Sequence, residues 1–321
     1  MKNYSLGRRL VAIATKQKAF LAIVAMFVAM LFFKTNFYTQ YNLLDMLNSA
    51  SILMVIAFGV TFTLIGGGCD LSVGGNMVVA GIVAIKLMDY LPLWVAILAA
   101  VAVGSIIGAI NGFLSVYQRT EPFIITLGMG MLLTGVAQQI TDAHPIPGKN
   151  PAFMKIANSQ LFDTIPTLVI IMVVVLLFTH WILRFTGFGR NLYAIGGDYE
   201  VAKYSGINVL RTKASAYVLS GTFAALGGIL LSSKLNSGSS TYGDTTALMV
   251  NCGIVVGGTS FAGGIGGIPQ SAIGMLVFSV LSNAMNMLGI DAYVQMLFQG
   301  IVIVTIIWLD CYSRKRKREA V

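Results

Sequence analysis

The chain alternates long apolar runs with short polar segments, and this alternation predicts its secondary structure. Several runs approach the roughly 20 residues that an α-helix needs to cross the hydrocarbon core of a bilayer. The sequence therefore predicts an all-α polytopic membrane protein with about ten transmembrane helices, in a single domain over residues 1–321. The apolar runs cover residues 19–37, 49–65, 73–88, 92–116, 122–140, 164–183, 214–232, 246–261, 268–288 and 291–309.

Composition supports a membrane location. The 321 residues are 56% hydrophobic and only 10% charged, and the mean hydropathy is +0.81. Soluble domains carry about 25% charged residues. Basic residues precede the first apolar run, and no small-residue cleavage site follows it. We therefore expect that run to be a retained anchor and not a removed signal peptide.

The basic residues are distributed asymmetrically between the predicted loops. If the amino terminus is cytoplasmic and the chain crosses the membrane ten times, 16 of the 21 Lys and Arg residues lie on the cytoplasmic side. They fall mainly in two tails, residues 1–18 and 310–321, and in the polar segment 184–213. Because positive charge stays on the cytoplasmic side of membrane proteins, both termini are predicted to be cytoplasmic. Anionic lipid headgroups account for the net charge of +9 without a nucleic-acid partner.

A glycine-rich break, LIGGGCDLSVGG at residues 64–75, contains one carboxylate, Asp70. Glycine costs up to about 1 kcal/mol per helical position relative to alanine, so we expect the helix to end here. Irregular backbone within a membrane is tolerated where it is buried in protein or lines a wet cavity, and an ionisable side chain there is a functional candidate. Asp70 either lines a translocation path or caps the following helix in an inner loop. The two interpretations are compatible, and both stay open at this point.

A second glycine-rich break, GGTSFAGGIGGIP at residues 257–269, lies between the eighth and ninth apolar runs. Predicted helices 2–5 and 7–10 are offset by an odd number, which makes the two halves antiparallel, as in transporters built from inverted repeats. Elsewhere Gly104, Gly108 and Gly112 share one helix face at four-residue spacing. That spacing predicts close packing against a neighbouring helix.

The segment 184–213 is too polar to span a membrane. Its sequence DYEVAKYSG places Asp198 at an N-cap, Glu200 in the first turn and Gly206 at the stop, which predicts one short helix. A short helix at the inner face is more often a docking element than a catalytic one. The alternative is a plain connecting loop.

Motifs for covalent, metal or nucleotide chemistry are absent from the sequence. The three cysteines lack C-x-x-C spacing, the two histidines lack an H-E-x-x-H pattern, and neither G-x-S-x-G nor G-x-x-x-x-G-K-[ST] occurs. We therefore expect no catalytic residue and no metal site. We also expect that this chain binds no cofactor by itself.

Four motifs in order, GGGCDLSVGG, INGFLSVYQRTEPFIITLG, FGRNLYAIGGDYEVAKYSGINVLRTK and VVGGTSFAGGIGG, span nearly the whole chain. Together they resemble the permease subunits of bacterial ABC importers for ribose and related monosaccharides. The resemblance implies a multi-pass protein of the inner membrane that works as a homodimer or with a related permease. It also implies a cytoplasmic ATPase subunit that uses ATP, and a periplasmic or lipid-anchored binding protein that delivers the pentose or hexose.

The resemblance also suggests site residues. Segment 184–213 is similar to the cytoplasmic coupling loop that contacts the ATPase, and within it we assign Gly189, Arg190, Gly196, Gly197, Glu200, Ala202, Ser205 and Gly206 to coupling. To the translocation path we assign Asp70, Ser72, Asn76, Asn111, Phe123, Thr126, Asn283 and Asn286. Asp244 and Asn251 depart from the family's usual pattern. The alternative function is an ion-coupled secondary carrier for a small polar solute, in which Asp70 is nearly the only candidate for the coupling group.

Overall fold

The computed structural model describes residues 18–33, 35–162, 164–243 and 245–318. Most of the predicted amino-terminal tail, the last three residues and Asp244 therefore lie outside the described residues. In the described part the α-helices are α1 (Lys18–Met30), α2 (Gln40–Ile65), α3 (Val73–Leu87), α4 (Leu93–Gly112), α5 (Pro122–Thr141), α6 (Pro151–Asn158), α7 (Thr167–Phe185), α8 (Gly187–Gly197), α9 (Tyr199–Tyr204), α10 (Val209–Leu235), α11 (Thr246–Val256), α12 (Ile268–Met287) and α13 (Ala292–Arg318).

Short elements connect some of these helices. A π-helical segment, Phe113–Tyr117, continues α4, and two 3-10 turns cover Asn36–Tyr38 and Ser240–Gly243. Four two-residue strands form two antiparallel pairs, β1 with β4 and β2 with β3. The strands are β1 (Ile146–Pro147), β2 (Gln160–Leu161), β3 (Ile165–Pro166) and β4 (Ser237–Gly238).

The predicted membrane architecture is confirmed at the level of a helical, polytopic protein. Each of the ten predicted apolar runs contains a helix. Among the described residues six helices are long and apolar enough to cross a bilayer, namely α2, α4 with its π-helical extension, α5, α7, α10 and α12. Shorter apolar segments lie in α1, α3 and α13. The count of ten spans stays a prediction.

Helices α2 and α10 form the centre of the bundle. α10 packs against α2, α3 and α4, and nearly every residue of α2 after Ala50 is buried. The contact of α10 with α4 is close because glycines face each other: a Cβ added at Gly221 would lie 2.3 Å from Gly104 O, and one added at Gly108 would lie 2.3 Å from Tyr217 O. Small residues allow helices to approach in this way, so the packing predicted for this glycine face is confirmed.

Polar segments collect at the two ends of the bundle. One end carries α8, α9, residues 66–68 and the linker 257–267, which we call the α8–α9 end. The opposite end carries α6 and the two strand pairs. This arrangement brings both glycine-rich breaks to the same end as the polar segment 184–213.

Segment 184–213 contains two helices, not the single short helix that was predicted. The predicted one is present as α9, and Asp198 caps it by accepting a 3.0 Å hydrogen bond from Val201 N. Gly206 follows with a φ of +81°. The additional helix, α8, begins at Gly187 and is capped by Thr186, whose hydroxyl accepts from Gly189 N at 3.3 Å. The four glycines of α8 argue against a helix on local propensity, and tertiary contacts described below override that preference.

Candidate functional site

Three glycine segments meet at the α8–α9 end. Gly264 N donates a 2.9 Å hydrogen bond to Ile65 O at the end of α2. A Cβ added at Gly196 in α8 would lie 1.9 Å from Ile65 O and 2.4 Å from Gly264 N, and one added at Gly263 would lie 2.8 Å from Gly67 N. We call the contact between Gly67, Gly196, Gly263 and Gly264 the glycine junction. It joins α8 to both glycine-rich breaks, backbone against backbone.

Side chains of α8 hold it against the same two segments. Tyr193 Oη donates to Gly266 O at 2.7 Å. Burial raises the pKa of the Tyr193 hydroxyl, against an opposing effect of Arg184, so this donor keeps its proton. Leu192 is fully buried and lies against Gly66, where a Cβ would come within 2.9 Å of its Cδ1. A displacement of α8 must therefore move both breaks or break these contacts.

A buried polar cluster surrounds Asp70, whose side chain is 0% exposed. Asp70 Oδ1 accepts from Ser72 N at 3.0 Å and from Ser72 Oγ at 2.6 Å. Asp70 Oδ2 accepts from Ser220 Oγ of α10 at 2.7 Å. Asn111 Nδ2 of α4 donates to Ser72 Oγ at 2.7 Å, and Asn251 Nδ2 of α11 donates to Asp70 O at 3.0 Å. These five residues, the Asp70 cluster, tie the second half of the chain to the first.

Asp70 accepts from the backbone N–H of Ser72, the N-cap residue of α3, but no side chain among the described residues accepts from the first-turn amides of α3, so the capping role of Asp70 stays a prediction. Three amide oxygens nearby are buried and have no hydrogen-bond partner in the described part of the chain, namely Oδ1 of Asn76, of Asn111 and of Asn251. Buried acceptors are nearly always paired in native structures. Each of these oxygens is therefore an acceptor that no donor among the described residues uses.

Residues 42–307 match the family described as branched-chain amino acid transport system, permease component. The chain belongs to this permease family. It is 32% identical to the ribose import permease protein of Haemophilus influenzae over 98% of both chains, and 35% identical to that of Escherichia coli over 92% of this chain and 93% of the relative. No solved structure matches the chain.

A hexose permease is also similar to this permease. The galactose/methyl galactoside import permease protein of Escherichia coli is 30% identical over 93% of this chain and 95% of the relative. The relatives are therefore permease proteins named for pentose import and for hexose import, and they are not named as enzymes. The resemblance that the four motifs indicated is confirmed.

The structure brings together only some of the residues assigned to the translocation path. Asp70, Ser72 and Asn111 belong to the Asp70 cluster. Asn76 lies one turn further along α3 and donates to two backbone oxygens, Gly104 O at 3.1 Å and Gly221 O at 3.3 Å, where α4 and α10 approach each other.

Among the described residues, the other four assigned path residues form no hydrogen bond with this cluster. Asn283 exchanges hydrogen bonds of 2.9 and 2.8 Å with Asn42 at the opposite end. Asn286 Oδ1 accepts from Gln295 across the turn between α12 and α13. Thr126 donates to a carbonyl of its own helix, and Phe123 on α5 is half exposed. Their assignment to the path stays a prediction.

The residues assigned to coupling divide into an inward and an outward set. Ala202 is only 2% exposed and packs with Ile195 and Val209, so it holds α9 against the rest of the permease. A direct contact with the ATPase, to which the sequence assigned Ala202, would need a residue at the surface. The most exposed apolar residues of α9 are Val201 and Tyr204, which are 62% and 84% exposed.

Sequence reasoning missed Val201 and Tyr204. The sequence signal was that Val201 and Tyr204 are three residues apart and so share one helix face, while Ala202 lies on another. Only the packing of α9 shows which of these faces is buried. Of the remaining coupling residues, Gly189 is buried against Leu183, whereas Arg190, Gly197, Glu200, Ser205 and Gly206 are exposed.

Proposed function

We propose that this chain is the transmembrane subunit of an ATP-driven importer that carries a monosaccharide, a pentose or a hexose, across the bacterial inner membrane. Full-length similarity to ribose and galactose import permeases carries the proposal. The glycine junction adds a physical route by which work done outside the chain could reach its helices. ATP is bound by a partner subunit, and a second permease copy or a homologue completes the membrane part.

In this proposal residues 1–321 form one domain of ten spans. Predicted helices 2–5, which are α2–α5, and predicted helices 7–10, which are α10–α13, form an inverted repeat. The odd offset between these helices supports the repeat, because equivalent helices of the two halves then run antiparallel, as inverted repeats require. The distribution of basic residues supports cytoplasmic tails at 1–18 and 310–321 and a cytoplasmic α8–α9 end.

The coupling loop is segment 184–213. The ATPase contacts the exposed side chains of α9, and α8 transmits the displacement through the glycine junction to α2 and to the linker before α12. In the translocation path, the Asp70 cluster lies between the α8–α9 end and the opposite end of the helix bundle. Its unpaired amide oxygens are acceptors that a sugar hydroxyl or a water could satisfy during transport.

The test of the function is uptake in vesicles that contain the permease, its ATPase and its sugar-binding protein. We expect accumulation of labelled D-ribose or D-galactose that requires ATP and all three components. Uptake by the permease alone, driven by an ion gradient, would contradict the proposal and favour the secondary carrier.

Orientation is tested with a matched pair of serines in a variant without native cysteines. Ser159→Cys, after α6 at the opposite end, should react with a membrane-impermeant thiol reagent added to intact spheroplasts. Ser205→Cys, after α9, should react only after permeabilisation. Both serines are exposed, so accessibility within the protein does not distinguish them. The reverse labelling pattern would overturn the orientation and the coupling assignment.

The contact with the ATPase is tested at Tyr204. An exposed tyrosine at the centre of an interface commonly contributes enough that its truncation weakens binding by at least about ten-fold. We expect Tyr204→Ala to reduce co-purification of the ATPase by that factor. Tyr90→Ala is the control, because Tyr90 is also 84% exposed but lies near the opposite end. Equal co-purification of the ATPase with both variants would exclude α9 as the main contact.

A further inference from the structure

A cavity of about 600 Å³ lies at the α8–α9 end. Its wall is formed by α9, by residues 67–69 after α2, by the turn between α4 and α5, and by the start of α10. Small-molecule sites typically measure about 300–1,000 Å³. The cavity is therefore large enough for a monosaccharide. Its lining includes Cys69, the residue immediately before Asp70.

Five charged side chains line this cavity: Arg119, Lys203 and Lys213 are basic, and Glu121 and Glu200 are acidic. The ion pairs in the described part of the chain, Lys149–Asp89 and Lys234–Asp45, lie elsewhere. In the same part none of the five donates or accepts a side-chain hydrogen bond. The cavity thus presents cations and carboxylates that form no close ion pair with one another in the described residues, although Lys213 is near enough to Glu121 to interact with it electrostatically.

This mixture of charges selects the chemistry of the ligand. An anion would be attracted by three basic groups but repelled by two carboxylates, and a cation would meet the opposite difficulty. A sugar hydroxyl satisfies both kinds of group, because it donates to a carboxylate and accepts from an ammonium or guanidinium group. Two aromatic rings, Tyr199 and Phe261, also line the cavity and offer apolar faces to the carbon skeleton of a sugar.

We propose that this cavity is a monosaccharide-binding site on the product side of the permease, through which transported sugar slows the ATPase. The proposal rests on the proposed function. The connection to the ATPase is α9 itself, because Glu200 and Lys203 line the cavity while Val201 and Tyr204 of the same helix point outward. A bound sugar that bridges α9 to Glu121 and Lys213 holds the coupling helix in one position.

The experiment uses the complete complex in vesicles, with binding protein and D-ribose inside and ATP outside. Only complexes whose ATPase faces outward then hydrolyse ATP. D-Ribose added outside should lower hydrolysis in a concentration-dependent way. Saturation-transfer NMR on the permease–ATPase complex, without binding protein, should detect D-ribose directly.

Variants locate the effect. Lys213→Gln and Glu121→Gln should each raise the half-inhibitory D-ribose concentration by at least about ten-fold, since each removes a charged hydrogen-bond partner. Arg211→Gln is the control, because Arg211 lies two residues from Lys213 on α10 but outside the cavity lining. When hydrolysis is expressed as a fraction of each variant's uninhibited rate, Arg211→Gln should show the same half-inhibitory D-ribose concentration as the wild type.

Several results would overturn the proposal. These are inhibition that is equal in the wild type and in Lys213→Gln, absence of any effect of external D-ribose in a complex that imports it, or inhibition by inorganic phosphate at lower concentration than by D-ribose. The first result places the effect elsewhere, and the last identifies an anion site. A complex that imports no monosaccharide at all contradicts the proposed function instead, so the two failures are distinguishable.

Discussion

Gly196→Ala is expected to abolish sugar-stimulated ATP hydrolysis. The added Cβ would lie 1.9 Å from Ile65 O and 2.4 Å from Gly264 N, both of which are backbone atoms that cannot rotate away. Overpacking of this kind costs about 1–3 kcal/mol. A coupling free energy of that size corresponds to a change in affinity of about 5–150-fold. If the added Cβ separates α8 from the two glycine-rich breaks, most of the coupling between the ATPase and the permease helices is therefore lost.

The matched control is the next residue. No atom in the described part of the chain lies within 4 Å of a Cβ added at Gly197. Gly197→Ala should therefore retain hydrolysis and uptake close to the wild type. Similar losses in both variants would show that helix propensity or flexibility at the end of α8, and not close packing, is what matters.

A second variant separates coupling from folding. Tyr193→Phe keeps the ring in place and removes only the 2.7 Å hydrogen bond to Gly266 O. We expect a smaller loss of stimulated hydrolysis with a normal amount of folded protein, measured by size-exclusion chromatography of the solubilised permease. Full stimulation in Tyr193→Phe together with loss of folded protein in Gly196→Ala would mean that the junction serves folding alone.

Asp70→Leu is expected to eliminate uptake, whereas Asp70→Asn retains most of it. Leucine leaves Ser72 N, Ser72 Oγ and Ser220 Oγ without their acceptor, and each buried polar group left unpaired costs about 1–3 kcal/mol. Asparagine keeps one oxygen for Ser72, and its amide can donate to the hydroxyl of Ser220, which also accepts hydrogen bonds. Thermal stability in detergent and uptake in vesicles measure the two effects separately.

Ser220→Ala completes this series. It removes one of the three hydrogen bonds to the Asp70 side chain, at a cost of about 1 kcal/mol, so its stability should lie between that of the wild type and that of Asp70→Leu. Equal loss of uptake in Asp70→Asn and Asp70→Leu, at normal levels of folded protein, would show that the negative charge itself is required. That result would favour the ion-coupled carrier over the importer.

The chain's local patterns determined its helices and its class. Apolar runs place a helix in each of the ten predicted positions because a bilayer-facing helix is recognised by length and composition alone. α9 was also predictable, since its cap at Asp198 and its stop at Gly206 are neighbours in sequence. The family followed from four motifs read in order.

Tertiary structure alone decided how the pieces meet. The glycines of α8 predict no helix locally, yet they allow the backbone contacts that hold α8 to residues far away in the chain. Ser220 reaches Asp70 across 150 positions, and Ala202 is buried because α9 turns its small face inward. Such contacts depend on which helix faces approach each other, and that is set by packing of the whole bundle and not by any local sequence pattern.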